Sequence, residues 1–255
     1  MTRIRGTQLF GWWRIAVSFL RAAPNVRRGD MSAMKNARLG FVSGLFAAAV
    51  MAVGVIAPGT AAAAPLPVVG PGSGFVTNGG VDDLTVCSIA AVGYDDAGRL
   101  VALTAGHCIL RTGLPVTLVG SPAAPVGTTA VGHWGPDYGV IVLDPTKVTP
   151  VSSLNGITVT DIGIGSVGQP VCKSGLGSGR TCGTIVEDRG VDLMSDAVTI
   201  WADSGAPLVS GTTLVGIASH ASGAPLLTPT AYASASESLR LLNASGAPGA
   251  GFRPV

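Results

Sequence analysis

The sequence predicts an all-β protein built from many short strands. Short apolar runs rich in Val, Ile, Thr and Leu recur through residues 85–219, with turn residues between them. The 37 glycines and 17 prolines are spread along the chain, and aromatic residues make up only 5% of it. Runs this short and this regularly spaced indicate a β-barrel or a β-sandwich.

The individual elements can be placed in order along the chain. Residues 94–98, Tyr-Asp-Asp-Ala-Gly, are typical of a hairpin turn. One helix is predicted near the end, where Ser234 and Glu237 form a capping box and Gly246 provides a stop. The predicted strands are TVCSIAAVGY (85–94), RLVALTA (99–105), PVTLVG (115–120), YGVIVL (138–143), GITVTDIGI (156–164), AVTI (197–200) and TTLVGIAS (212–219).

The first quarter of the chain is interpreted as a targeting region. Residues 39–58 are apolar and uncharged, basic residues precede them, and alanines follow at 61–64. This pattern predicts a signal peptide at 34–64; the alternative is a membrane anchor, because the run is nearly long enough to span a bilayer. Residues 1–33 are expected to be a start-site artefact or a disordered extension. Residues 65–81 are expected to be a flexible lead-in and 246–255 a loose tail.

Charge and cysteine content narrow the function classes. Residues 65–255 carry eight basic and thirteen acidic groups, a net charge of −5, so nucleic-acid binding has no electrostatic basis. Four cysteines in an exported chain indicate disulfides, and the sequence leaves three pairings open. Pairing of nearest neighbours is favoured. A zinc site is the alternative, but no Cys-x-x-Cys spacing supports it.

Three polar stretches carry the candidate chemistry. His107 lies in Thr-Ala-Gly-His-Cys, directly after an apolar strand. Asp137 opens another apolar strand, where its carboxylate needs hydrogen-bond donors; Asp144 is the competing aspartate. Ser204 lies in Asp-Ser-Gly, which alone is an ordinary turn but also suits a nucleophile close to backbone N–H donors.

Taken together, these stretches resemble the chymotrypsin-like serine proteases, in particular the bacterial, streptogrisin-like branch. The resemblance covers about residues 82–245 and includes the order His, Asp, Ser and the segment VCKSGLGSGRTCGTI at 171–185. It implies two antiparallel six-stranded β-barrels of chymotrypsin type with a short C-terminal helix, the barrels spanning about 82–150 and 151–233. It also implies the disulfides Cys87–Cys108 and Cys172–Cys182.

The resemblance also assigns roles to residues. His107 becomes the general base and then the acid, Asp137 orients it, and Ser204 is the nucleophile. The N–H groups of Ala202 and Ser204 form the oxyanion hole. An ion pair between Lys173 and Asp203 supports that loop; a solvated surface lysine is the alternative. No cofactor and no metal are expected.

Several positions depart from the family pattern. Ala202 and Ala206 stand where glycine is usual, which raises the question of whether the oxyanion hole is intact. The predicted substrate pocket contains Val198, Ser219, His220, Ala221 and Thr230, and we expect it to accept a small or medium apolar residue before the cut. The leading hypothesis is a secreted, monomeric endopeptidase acting on proteins or peptides, with no stable membrane insertion. The alternative is a weakly active or inactive protease-fold binding protein of the cell envelope.

Overall fold

The fold is almost entirely β in the parts of the chain that the structure describes, residues 64–78, 84–121, 124–220 and 229–255 of a computed structural model. The N-terminal half contains β1 (Val68–Val69), β2 (Gly74–Asn78), β3 (Leu84–Ser88), β4 (Ala91–Tyr94), β5 (Leu100–Thr104), β6 (Pro115–Leu118), β7 (Gly127–Trp134), β8 (Asp137–Leu143) and β9 (Thr149–Pro150). The C-terminal half contains β10 (Ser153–Leu154), β11 (Ile157–Thr158), β12 (Asp161–Ile162), β13 (Pro170–Gly175), β14 (Gly179–Asp188), β15 (Asp192–Ser195), β16 (Pro207–Ser210), β17 (Thr213–His220), β18 (Thr230–Ser234) and β19 (Arg253–Pro254).

The C-terminal half forms a closed barrel. Its strands run in the order β17-β16-β13-β14-β15-β18, and β18 pairs back onto β17 to close the ring of six. The short strand β12 adds to β17 in parallel, outside the ring. The predicted six-stranded barrel of chymotrypsin type is confirmed for this half.

Strands β2 to β8 of the N-terminal half and the C-terminal strand β19 form an antiparallel sheet of eight strands, in the order β19-β4-β5-β8-β7-β6-β2-β3. Six of them, β3 to β8, fall in the predicted barrel region. The other two strands come from segments that the sequence analysis treated as unstructured. β2 comes from the predicted lead-in, and β19 comes from the predicted tail.

These two segments require a correction. In the lead-in, Phe75 and Thr77 are fully buried, and β2 pairs with both β3 and β6. In the tail, Phe252 is buried and β19 pairs with β4. Glycine and proline around these strands suggested loose chain, but the single buried aromatic ring in each anchors it to the first core.

Two helical elements complete the fold in the described part of the chain. Helix α1 runs from Ala235 to Ser245, its N-cap Ser234 accepts a hydrogen bond from the Glu237 N–H, and Gly246 ends it in the left-handed conformation at φ 64°. The predicted helix and both of its ends are thus confirmed. A 3-10 helix spans Gly106–Cys108. Within the described ranges, no helix combines the length and apolar character needed to cross a membrane.

The buried apolar residues of the described ranges form two clusters, and the larger one joins the first sheet to residues of the C-terminal half. The smaller cluster fills the closed barrel and comprises Val171, Ile185, Leu193, Ala197, Ala206, Leu208, Val215, Ala218 and Tyr232. The larger cluster includes Phe75, Val101 and Ile141 of the first sheet and Leu242 of α1. Both implied disulfides, Cys87–Cys108 and Cys172–Cys182, are formed. The predicted signal peptide, apart from Ala64, and the segment before it lie outside the described residues.

Candidate active site

His107 and Asp137 face each other at the ends of neighbouring strands. β5 and β8 pair so that Thr104 lies opposite Gly139, and the chain turns into the 3-10 helix directly after β5. His107 Nδ1 lies 2.7 Å from Asp137 Oδ2, and the His107 backbone N–H donates to Asp137 Oδ1 at 2.9 Å. Both carboxylate oxygens therefore fix the position of the histidine.

The turn that carries His107 has no room for a larger residue at Gly106. A Cβ on Gly106 would lie 1.9 Å from the carbonyl oxygen of His133. The neighbouring Cys108 is bonded to Cys87 of β3, which ties the turn to a second strand. The close packing and the disulfide explain the Thr-Ala-Gly-His-Cys pattern in physical terms.

Ser219 is the second group on the Asp137 carboxylate. Its hydroxyl donates to Asp137 Oδ2 at 2.7 Å, whereas the sequence placed Ser219 in the substrate pocket. The pattern alone could not separate these two roles, because the direction of the side chain depends on how β17 packs against β8. Burial raises the pKa of Asp137, but the hydrogen bonds and charge of His107 and the Ser219 hydroxyl outweigh it and hold that pKa below its usual value.

Ser204 lies in the turn before β16 and also contacts Ser219. Its hydroxyl donates a long hydrogen bond, 3.4 Å, to the backbone carbonyl of Ser219. Ser219 therefore contacts both Ser204 and Asp137. The next residue, Gly205, has φ 85°, and a Cβ there would lie 2.1 Å from Thr104 Oγ1. Only glycine fits where this turn meets the first sheet.

Asp203 and Lys173 form a fully buried ion pair beneath the turn. Lys173 Nζ donates to Asp203 Oδ2 at 2.8 Å, and both side chains are completely inaccessible to solvent. The Ser178 hydroxyl and the Ile200 N–H donate to the same oxygen, and the N–H groups of Gly177 and Ser178 donate to Oδ1. Burial raises the pKa of Asp203, but Lys173 and these hydrogen bonds lower it more.

The position of Asp203 also explains two of the glycines in the 171–185 segment, Gly175 and Gly177. A Cβ on Gly175 would lie 2.5 Å from Asp203 Oδ1, and one on Gly177 would lie 2.1 Å from the carbonyl oxygen of Trp201. The segment must come this close because its backbone N–H groups donate to the Asp203 carboxylate. Ser178, whose hydroxyl contacts both Asp203 and Lys173, was not identified from the sequence.

Ala202 adopts a conformation that normally belongs to glycine. Its φ is 71°, and Asn155 is the other non-glycine residue of the described chain with a positive φ. The left-handed conformation costs a residue with a Cβ about 1–2 kcal/mol. The departure at Ala202 therefore carries backbone strain. Ala206, the other departure from glycine, has no positive φ and is fully buried.

Ser88, at the end of β3, holds the strained turn from the opposite sheet. Its N–H donates to the Ser204 carbonyl at 2.8 Å, and its hydroxyl donates to the Ala202 carbonyl at 2.8 Å. The Leu176 N–H donates to the same hydroxyl at 2.9 Å. Ser88 was not recognised from the sequence; its position directly after the disulfide cysteine Cys87 was the available signal.

The predicted pocket residues lie on β17, β18 and the segment before Ser204. Thr230 is buried, and its hydroxyl lies 3.2 Å from that of Thr199, a residue the sequence analysis did not single out. The Val198 carbonyl accepts a hydrogen bond from the Thr181 hydroxyl. His220 is exposed at the end of β17. Ala221 lies outside the described residues.

Two exposed tryptophans lie close to His107 and Ala202, one beside each residue. Trp134 is 72% exposed, and its ring centroid lies 6.5 Å from that of His107. Trp201 is 78% exposed and directly precedes Ala202. The remaining histidine, His133, is engaged elsewhere, since its Nδ1 lies 3.0 Å from the Pro136 carbonyl and its ring stacks on Tyr138.

Several solved bacterial proteases are similar to this chain in fold. The chain is similar to protease A of Thermobifida fusca, at 23% identity and a TM-score of 0.59 over 74% of this chain and 100% of that one. It is also similar to the Cellulomonas bogoriensis chymotrypsin, at 26% identity and a TM-score of 0.56 over 73% and 98%. A Nocardiopsis protease matches at 22% identity and a TM-score of 0.57 over 72% and 98%.

Comparison of the sequence itself gives no match, either to a protein-family model or to a curated protein. The relationship is therefore carried by the architecture, which the bacterial proteases share over almost their whole length. The chain therefore has the fold of these bacterial proteases, which include a chymotrypsin.

Proposed function

We propose that this chain is an exported serine endopeptidase that hydrolyses peptide bonds through an acyl-enzyme on Ser204. The observation that carries the proposal is the His107–Asp137 pair, joined at 2.7 Å. Through Ser219 this pair is connected to the turn that presents Ser204. A histidine oriented by a carboxylate beside a serine is the arrangement that nucleophilic catalysis by serine requires.

Each group has a defined role in the proposed reaction. The Ser204 hydroxyl rotates away from the Ser219 carbonyl and attacks the substrate carbonyl carbon while His107 Nε2 accepts its proton. His107 then donates that proton to the leaving amine, and water hydrolyses the acyl-enzyme with His107 again as base. Asp137 keeps the ring oriented and stabilises the imidazolium.

The backbone N–H groups of Ala202 and Ser204 form the proposed oxyanion hole. No acceptor for either N–H is found among the described residues, so both are free to donate to a substrate oxygen. Hydrogen bonds aimed at the developing negative charge are worth about 10²–10³ in rate each. The Lys173–Asp203 pair and Ser88 act behind the turn, because they fix the peptide units on either side of these donors.

We propose a small or medium apolar residue before the cut. The predicted pocket residues include no acidic side chain, and the Thr199 hydroxyl donates a hydrogen bond to the Thr230 hydroxyl. The nearest acid along the chain, Asp196, accepts the Thr184 N–H and is not aimed at a basic substrate. The exposed Trp134 and Trp201 offer further apolar surface to a peptide. A peptide-library cleavage profile tests this preference, and cleavage after Arg or Lys contradicts it.

A fluorophosphonate probe tests the proposed nucleophile. Purified protein without residues 1–64 should be labelled at Ser204, and labelling should vanish in Ser204→Ala and fall steeply in His107→Ala. His133→Ala is the matched control and should label normally, because His133 is hydrogen-bonded to Pro136. A folded sample that does not label contradicts the proposal.

Export through the signal peptide at 34–64 is part of the same proposal. N-terminal sequencing of the secreted protein should find a new terminus near Ala64. A terminus upstream of residue 39 would instead support a retained membrane anchor. We propose a protein or peptide as the partner and a monomer as the working form, to be checked by light scattering.

The second candidate function is a protease-fold binding protein with weak or no catalysis. The positive φ of Ala202 favours it, because a strained residue carries one of the two proposed oxyanion donors. A folded protein that binds peptides but resists the fluorophosphonate probe would support this alternative.

A further inference from the structure

A second histidine is connected to the Asp137 carboxylate. The Ser219 hydroxyl, which donates to Asp137 Oδ2, also lies 2.9 Å from Nδ1 of His220. Asp137 Oδ2 therefore has two partners. One is His107, and the other is the Ser219 hydroxyl, which in turn contacts His220. The sequence analysis assigned His220 only to the wall of the substrate cleft.

The available protons determine which group donates and which accepts in the hydrogen bonds that join His220, Ser219 and Asp137. The Asp137 carboxylate is ionised and accepts only, so the single hydroxyl hydrogen of Ser219 points to it. Ser219 Oγ can then only accept from His220, which means that His220 Nδ1 carries a hydrogen. His220 Nδ1–H thus donates to the Ser219 hydroxyl oxygen, and the Ser219 hydroxyl donates to Asp137. A positive charge on His220 strengthens both links, because charge-assisted hydrogen bonds are the stronger ones.

The electrostatic surroundings of His220 are set by its neighbours on β15 and β18 and by the residues that follow it. The residue is exposed at the end of β17, so its ring reaches water. Asp192 of β15 is close enough to interact electrostatically with both His220 and Asp137, and Arg189 acts on Asp192 in turn. The residue opposite His220 on β18 is Ala231, which is uncharged. Residues 221–228 contain no ionisable side chain.

We propose that His220 is a positioning residue that acts through Ser219 on the Asp137–His107 pair, so that its protonation extends activity to lower pH. The inference rests on the proposed function for the roles of His107 and Asp137. A charge on His220 draws the Ser219 hydroxyl and the Asp137 carboxylate towards it, and it opposes a second positive charge on His107. His107 therefore stays neutral, and able to act as a base, at a lower pH than it would beside an uncharged residue.

Two substitutions separate the charge from the hydrogen bond. His220→Asn keeps an N–H donor near the place of Nδ1 but cannot be charged. His220→Leu removes both the donor and the charge at similar size. We expect His220→Asn to move the acid limb of kcat/KM up by a few tenths of a pH unit. We expect His220→Leu to lose in addition about 2- to 10-fold in kcat, the value of one hydrogen bond, with little change in KM.

A role confined to the cleft wall gives a different pattern. Both variants would then change KM for long peptides and leave untouched the rate at which a small phosphonate labels Ser204. Measuring the labelling rate against pH therefore tests the positioning role without a peptide in the cleft. If the acid limb of labelling is the same in wild type, His220→Asn and His220→Leu, the proposal is overturned.

Nuclear magnetic resonance of the His107 ring tests the coupling whether or not the protein is an enzyme. In wild type, the His107 signal should follow two ionisations, its own and that of His220. It should follow one in His220→Asn and two again in the control His133→Asn. One unaltered ionisation in all three overturns the coupling, whereas two ionisations without phosphonate labelling overturn only the proposed function. His220 is exposed, so each variant should keep the wild-type unfolding temperature, which is checked first.

Discussion

The two halves of the candidate site are built in different ways. Asp137 begins β8, and His107 lies in the 3-10 helix that follows the paired strand β5, so that the two side chains contact each other directly. The turn that carries Ser204 has a strained alanine and a left-handed glycine. It keeps its shape through contacts from elsewhere, namely the buried Lys173 and, from the opposite sheet, Ser88.

The difference shows where such a site is vulnerable. The first half follows from strand pairing, which the hydrophobic core enforces over many residues. The second half depends on a few polar contacts, among them the fully buried Lys173–Asp203 ion pair. We therefore expect single substitutions around the Ser204 turn to cost more than comparable ones elsewhere, and the following predictions test this in order of size.

The largest effect is expected from Lys173→Met. It leaves Asp203 as a buried charge without its partner, which costs about 3–5 kcal/mol in the free energy of unfolding. Urea denaturation measures it. The control is Lys147→Met, whose exposed pair with Asp144 is worth about 0–1 kcal/mol. A loss at residue 173 no greater than that at residue 147 would show that the ion pair does not hold the turn.

Gly205→Ala should cause the next largest loss in the free energy of unfolding. The new Cβ meets Thr104 Oγ1 at 2.1 Å and the Ser88 carbonyl oxygen at 2.2 Å, in a left-handed residue. Overpacking and strain together predict a loss of about 3 kcal/mol. Gly211→Ala, also left-handed but with no atom within 4 Å, should lose only about 1–2 kcal/mol. Equal losses for the two variants would remove the clash from the explanation.

Ala202→Gly tests the strain directly against Ala206→Gly. Both remove one buried methyl group and both add the flexibility of glycine, but only position 202 has a positive φ. Ala202→Gly should therefore be less destabilising than Ala206→Gly by about 1–2 kcal/mol. The labelling rate of Ser204 should rise by up to about tenfold in Ala202→Gly, because the donor conformation is no longer strained. A slower rate would show that the alanine helps to hold the turn.

The smallest effect on stability is expected when the pH is lowered from neutral. Asp137 in the first half and Asp203 in the second both have pKa values held below normal. Their contribution to stability is present above the unfolded-state pKa of about 3.9 and is lost as the pH falls through the lower folded-state values. Urea midpoints between pH 7 and pH 3 should fall less steeply in Asp137→Asn than in wild type. Asp161→Asn, on an exposed strand end, should leave the slope unchanged.

Much of the fold was predictable because it depends on local patterns. The runs of Val, Ile, Thr and Leu marked the strands, and Ser234, Glu237 and Gly246 marked both ends of the helix. The strands β2 and β19 could not be recognised, because each is short, lies among glycines and prolines, and becomes a strand only through pairing with a distant segment. Their buried rings, Phe75 and Phe252, were the available signals.

The sequence by itself determined the chemistry that this protein can offer. It fixed the order of a histidine, an aspartate and a serine, each in a context that suits its proposed role, and it left four cysteines to pair. These features could be recognised because each depends on residues that are close together in the sequence. Only the tertiary structure decided that Ser219 joins Asp137 to a second histidine, that Ser88 reaches across to the Ser204 turn, and that Ala202 is left-handed. Those facts arise where one sheet packs against the other, since contacts between residues far apart in the chain leave no periodicity in the sequence.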